Sequence, residues 1–273
     1  MTAALRTEWR KIATTRLWWL LALAMSGYLM VMGAIMAGSF VFGMRANESS
    51  TGIPGAQPVV LDPHAIASSV YTLAVALGYI FPAVLGALIV TNEFRYHTIT
   101  PTLLAEPHRT RVLLAKLIAA VPFGLVVAVA GVLGTVAGGA ATLAVLGEPT
   151  FLGDADMWRT IGLSVVALVL WTLVGVGFGS LLTNQVAAIV VLLLFTQFIE
   201  PLLRILLATF EATEAVSKFL PGAAGEAIAG SSLYVSSGLA QLLPSWQGAL
   251  VLIAYAAVLV VIGRLTTFRR DIG

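Results

Sequence analysis

Residues 91–116 read TNEFRYHTITPTLLAEPHRTRVLLAK, the one place where charge and turn-forming residues interrupt two long apolar runs. The runs at 70–90 and 117–146 contain no Asp, Glu, Lys or Arg, so each can cross a bilayer and the segment between them cannot. That segment is expected at a membrane face. Its basic residues Arg95, Arg109, Arg111 and Lys116 outnumber Glu93 and Glu106, and short loops rich in Lys and Arg stay on the cytoplasmic side. The spacing predicts a short helix over 94–105, started by Asn92 or Glu93 and stopped by Pro107, with Phe94, Ile99, Leu103 and Leu104 as its apolar side. Pro101 must mark either the first turn of this helix or a break.

Working outward, the chain has 15 Lys and Arg and 13 Asp and Glu in 273 residues, against 59% hydrophobic. Such a balance belongs to an all-α polytopic membrane protein, here one transmembrane domain over 1–273. Spans are expected near 17–42, 66–90, 112–146, 158–182, 185–199 and 246–263, six transmembrane helices in all. Pro82 should kink the second, and Pro122 makes the first turns of the long third tilt or lie along the interface. Before them, Leu5, Trp9 and Ile12 recur at helical spacing with Arg6, Arg10, Lys11 and Arg16 mostly on the other side. This is the pattern of an amphipathic helix at 2–16 lying among lipid headgroups. A signal peptide is the competing reading, but the run at 17–42 is too long and no cleavage site follows it. Trp18 and Trp19 belong to the inner aromatic belt.

Residues 43–63 and 147–157 read as outer loops, and Thr183 with Asn184 as a tight inner turn. The fifth span should break at Glu200-Pro201. Between 202 and 244 the apolar pieces are too short to cross and read as outer re-entrant or interfacial helices. With both termini inside, every basic residue except Arg45, Arg159, Arg204 and Lys218 falls on the cytoplasmic side, and only Glu8, Glu93, Glu106 and Asp271 of the acidic residues join them.

Several chemistries find no support. Cysteine is absent, which removes disulfides and thiolate sites. No carboxylate or histidine is expected in mid-span, which speaks against proton- or ion-coupled transport and haem ligation; His64, His97 and His108 all lie in loops. Lys11, Lys116 and Lys218 are not preceded by glycine, so no phosphate-cradling loop is present. Gly175 to Gly179 and Gly134 to Gly138 have the spacing of close helix packing. Ser164, Ser180 and Ser231 lack a companion base and read as packing or loop residues. Glu200 and Arg204, four apart, pair on one face if the helix survives Pro201; the plainer reading is an interfacial pair capping the span, the other an outer gate together with Pro221.

Together these residues resemble the permease subunits of ABC-2 type transporters, especially actinobacterial ones. The resemblance rests on Glu8, Trp9, Arg10 and Lys11 in the amphipathic helix; on the cluster Glu93, Phe94, Arg95 and Thr98; on Pro107, Arg109 and Arg111; and on Lys116 opening the third span. His97 stands where the family often has glycine. The 220–222 Leu-Pro-Gly stretch is similar to the family's outer re-entrant hairpin. The resemblance implies a multi-pass subunit of a bacterial plasma membrane that is no enzyme and holds no cofactor of its own, ATP and Mg being bound by two copies of a partner ATPase. A second permease, as homodimer or heterodimer, and membrane lipids complete the expected partners; nucleic acid is not among them. Residues 92–108 would form the cytoplasmic coupling helix, with Glu93, Arg95 and Arg109 as polar contacts, Phe94 as apolar anchor, and Thr183 and Asn184 as a smaller second contact. The function implied is ATP-driven export of a hydrophobic or amphiphilic drug, lipid or peptide. The rivals are an ion-coupled secondary transporter and a non-transporting membrane assembly subunit.

Overall fold

The computed structural model describes residues 2–49, 62–208, 211–231 and 242–268, and among them every regular element is helical. In chain order these are α1 (Thr2–Thr14), α2 (Leu17–Ser49), α3 (Pro63–Tyr71), α4 (Leu73–Leu77), α5 (Ile80–Arg95), α6 (Ile99–Ala105), α7 (Arg109–Val145), α8 (Ala155–Leu181) and α9 (Gln185–Leu194). A π-helical turn (Phe195–Ile199) leads to α10 (Glu200–Ala208), α11 (Glu211–Ser217), α12 (Pro221–Ala229) and α13 (Ser245–Thr266). Six stretches are long and apolar enough to cross a membrane: 17–46, 63–95, 109–145, 155–181, 185–207 and 245–266. The protein is a multi-pass, all-helical membrane protein.

Glycine sets how the spans meet. α2 crosses α7 where Gly134 and Gly138 lie on the Ser26 and Met30 backbone, and α5 crosses α8 where Gly175 and Gly179 lie on Ala83 and Ala87. A methyl group at Gly138 or Gly175 would overlap a carbonyl oxygen, so these glycines permit backbone contact, as their spacing foretold. α8 is the hub, packed against α5, α7, α12 and α13, with Trp171 and Leu168 buried at its centre. α2, α9 and α13 lie outside, turning Ile35, Val190 and Val258 outward.

Several expectations need correction. The helix of the first span does not end at 42 but continues to Ser49; of the outer loop expected from 43, residues 50–61 lie outside the described residues. The second span is three helices, not one kinked helix. One break falls at Thr72 and the other at Gly78; the second lies four residues before Pro82, because a proline nitrogen cannot donate to the carbonyl four residues back, and the Gly78 carbonyl accepts from Phe81 instead. The third span is one helix of 37 residues through Pro122, about 55 Å long.

The fifth span does not break at Pro201. It runs to Leu207, because the turn before it widens to π geometry, with the Glu200 N–H reaching the Phe195 carbonyl, and so absorbs the missing donor. Glu200 and Arg204 are thus inside a span rather than beyond its end. Of the region after it, 232–241 lies outside the described residues, while all of α12 is buried. Arg269, Arg270 and Asp271 also fall outside them.

Candidate functional site

One end of the bundle gathers α1, α6, the turn at 182–184 and the end of α13. The expected 94–105 helix is two pieces. α5 carries on through Arg95, and α6 starts only at Ile99, with Thr98 before it and Pro101 in its first turn. Between them the Thr98 N–H bonds the Glu93 carbonyl and the His97 N–H the Phe94 carbonyl, with His97 at φ 54. This is a Schellman ending, whose left-handed position glycine usually fills. The helix stops at Ala105, before Pro107, and the Glu106 carboxylate accepts from the His108 N–H. The bond with the His108 ring, aided by Arg111, holds the Glu106 carboxyl below its ordinary range.

Under α6 lies a ring of four charges. Lys116 Nζ is 2.7 Å from Glu8 Oε2 and 2.8 Å from Glu93 Oε1. Lys11 Nζ is 2.7 Å from Glu8 Oε1, touches Glu93 Oε1, and donates to Thr102 Oγ1 of α6 at 3.0 Å. Glu8, Glu93 and Lys116 are buried, the last completely, while Lys11 is a third exposed. Two carboxylates and two ammoniums alternate and balance, the condition under which such charges can leave water. Burial alone would lower the Lys11 ammonium's pKa, but its bonds to Glu8 and Glu93 and their charges outweigh that and hold it above 10.5. The ring joins α1, α5, α7 and α6.

The ring changes the reading of several predicted residues. Glu93, expected as a polar contact for a partner, faces inward into the ring, and Lys116, expected to open the third span, is a member of it. On α1 the buried positions are Glu8 and Ile12, while Trp9 sits at the rim, 4.9 Å from the Phe123 ring; Arg10 is exposed. Arg95 is exposed and reaches Gln185 Oε1 at 2.7 Å, lacing the segment to the α8–α9 turn. There Asn184 caps α9 by accepting from the Val186 and Ala187 N–H groups, beside exposed Thr183. Phe94, half-buried, meets the Phe268 ring edge-on at 5.7 Å, and Arg109 donates to the Phe268 carbonyl. Arg264 donates to Thr110 at 2.6 Å and Thr267 to the Leu181 carbonyl at 3.0 Å. The end of α13 was not among the predicted contacts, and no local pattern in its sequence marks it.

What faces outward from this end is α6 itself. Leu104 is 79% exposed, and Thr98, Thr100, Pro101, Pro107 and Arg111 are exposed around it. Clefts of about 350 and 370 Å³ flank Lys11, between α1 and α5 and between α1 and α6.

At the opposite end Arg45 donates to the Leu146 carbonyl at 2.6 Å, and the Tyr71 hydroxyl to that of Thr150 at 2.8 Å. On α10, Arg204 bridges Glu200 at 3.0 Å and Glu226 of α12 at 2.9 Å. All three are buried, so Glu200 and Arg204 are two members of a buried set rather than an exposed interfacial pair. Pro221 starts α12 and is buried. Among the described residues, no three His, Asp or Glu side chains gather to hold a metal ion. No protein-family model matches the chain, and no curated protein matches it.

Proposed function

We propose that the chain is the membrane-spanning permease subunit of an ATP-driven transporter of the ABC-2 type, exporting a hydrophobic or amphiphilic drug, lipid or peptide from a bacterial cell. The observation that carries this reading is α6: a short exposed helix between two long spans, tied to both of them and to α1 by a buried ring of charge. A partner ATPase would take α6 in a groove, with Leu104 as apolar anchor and Arg95, Pro107 and Arg111 at the edge, and the turn at Thr183 and Asn184 as second contact. Two ATPase copies would hydrolyse ATP with Mg, and a second permease, identical or related, would complete the path. Both termini, α1 and α6 would face the cytoplasm, α1 lying among lipid headgroups, and α11 and α12 would form the outer re-entrant hairpin. A push on α6 reaches α5 through Glu93 and α7 through Lys116 without passing through a flexible loop.

Purification in mild detergent tests the reading: an ATPase subunit should accompany the chain one to one. The L104D variant should keep its fold, lose the ATPase and lose ATP-driven transport. A chain that transports with no ATPase bound would refute the proposal. One observation favours a second reading, an ion-coupled carrier: Glu200, Arg204 and Glu226 are charges buried beside a span, where such groups mark ion paths. Transport that survives ATP depletion and stops when the ion gradient collapses would select it.

A further inference from the structure

The outward face of α1 takes no part in the charge ring. Glu8 and Ile12 are buried and Lys11 points into the ring, while Arg6, Arg10 and Arg16, the last at the bend into α2, are exposed. Glu8 is the one carboxylate in residues 1–16, and Lys116 and Lys11 draw it inward. Among the described residues, none of the three guanidinium groups has an ion-pair or hydrogen-bond partner. The face thus carries three positive charges and no negative one.

The level of this face along the bundle is fixed by α7. Glu8 meets Lys116, the last charged residue before the uncharged run 117–146. The rings of Trp9 and Trp18 lie 4.9 and 5.8 Å from that of Phe123, which is about 10 Å further along the helix. α1 therefore crosses α7 where charge gives way to apolar surface, the depth at which lipid headgroups and tryptophan rings meet. Trp9, one turn after Arg6, is 47% exposed, and Trp19 and Leu20, just past Arg16, are exposed too. Ile118 and Val121 of α7 turn outward at the same level. A partner on this face meets guanidinium groups on one side and indole and aliphatic surface on the other. An acidic protein or a nucleic acid matches the first and not the second. A phospholipid matches both, and a guanidinium fork fits a phosphate with two parallel bonds. In phosphatidylcholine the choline cancels the charge of the phosphate, so the face favours lipids of net negative charge.

We propose that the outward face of α1 is a binding surface for anionic phospholipid, with Arg6, Arg10 and Arg16 on the phosphates and Trp9 among the headgroups. The opposite face of the same helix carries Glu8 and Lys11, so a lipid held there is fixed relative to α5, α6 and α7. The inference rests on the proposed placement of α1 at the membrane surface and adds the class of lipid; the ATPase does not enter it.

Lipid quenching of the full chain in phosphatidylcholine vesicles tests it. The chain has no native cysteine, so a fluorophore on A13C, an exposed position between Arg10 and Arg16, reports on the lipid beside α1. Phosphatidylglycerol with a nitroxide near the carbonyl end of its acyl chain should quench it with an apparent association about fivefold or more above phosphatidylcholine labelled in the same way. High salt should shrink this preference. In R6Q/R10Q/R16Q it should fall below about twofold, while helicity and melting stay as in the wild type, since the three side chains have no partner in the protein. Equal quenching by the two lipids, a preference that survives in the triple variant, a triple variant that fails to fold, or a preference that inorganic phosphate or an acidic peptide abolishes at constant ionic strength each overturns the inference. Equal quenching leaves α1 at the headgroups, whereas no quenching by either lipid removes that placement as well, which separates the two failures.

Discussion

Replacing Lys116 with methionine is the sharpest probe of the charge ring under α6. Methionine keeps most of the stem's bulk, so the packing change is small, and what is lost is an ammonium with no exposure to water, 2.7 and 2.8 Å from two buried carboxylates. Removing one partner of a buried ion pair costs roughly 3–5 kcal/mol. The lower end applies, because Lys11 still touches both Glu8 and Glu93. K116M should therefore lose about 3 kcal/mol in reversible unfolding in bicelles, followed by tryptophan fluorescence. The double variant E8Q/K116M restores the balance, leaving Lys11 opposite Glu93, and should regain about 1 kcal/mol or more of coupling. Because Glu8 and Lys11 hold α1 to the ring, a spin label on T14C should also loosen in K116M before the spans unfold. The chain has no native cysteine to interfere with that label. A K116M within about 1 kcal/mol of wild type, or losses that simply add in the double variant, would refute the reasoning.

Raising the pH should free α1 late: the folded Lys11 value is raised, so its contribution is complete below the ordinary lysine value and is lost only as pH climbs through the raised one. The T14C label should stay immobile up to about pH 9 and loosen above 10.5; loosening already at neutral pH counts against it. G175A should destabilise by roughly 1–3 kcal/mol through the α5–α8 contact, whereas G162A, which meets nothing within 4 Å on the same helix, should gain up to about 1 kcal/mol; equal effects in the same unfolding assay would remove the packing argument. H97G should be neutral or gain about 1 kcal/mol, because glycine adopts the left-handed turn without the strain a side chain meets there, and H97V should lose stability; a strongly destabilised H97G would show that the imidazole itself matters.

The six long apolar helices were legible because bilayer thickness sets a length that any uncharged run either meets or misses. The glycine contacts were legible for a similar reason, four residues being one helical turn. Positions of breaks were less so. A proline marks a missing donor, but the vacated carbonyl is one turn earlier, and its satisfaction depends on neighbours: at Gly78 the helix opened, while before Pro201 it widened and went on. The charges were hardest. Lys116 and Glu93 look like two of several charges in a polar linker, and only the crossing of α1, α5 and α7 brings residues 8, 93 and 116 to one point. A hint existed in α1, where Glu8 shares a face with Leu5 and Ile12, a place for a carboxylate only if something meets it there.

Both ends of the bundle solve one problem with buried charge. A short helix that cannot cross the membrane must still be fixed to helices that do, and apolar packing alone lets such a helix slide. At the α6 end two ammoniums alternate with two carboxylates, and the ring ties α1, α5, α6 and α7 into one joint. At the opposite end the Arg204 guanidinium bridges two carboxylates, Glu200 of the fifth span and Glu226 of α12. A displacement of α6 would then pass through Thr102 and Lys11 to α1, α5 and α7 together, while α12 moves with the fifth span through Arg204.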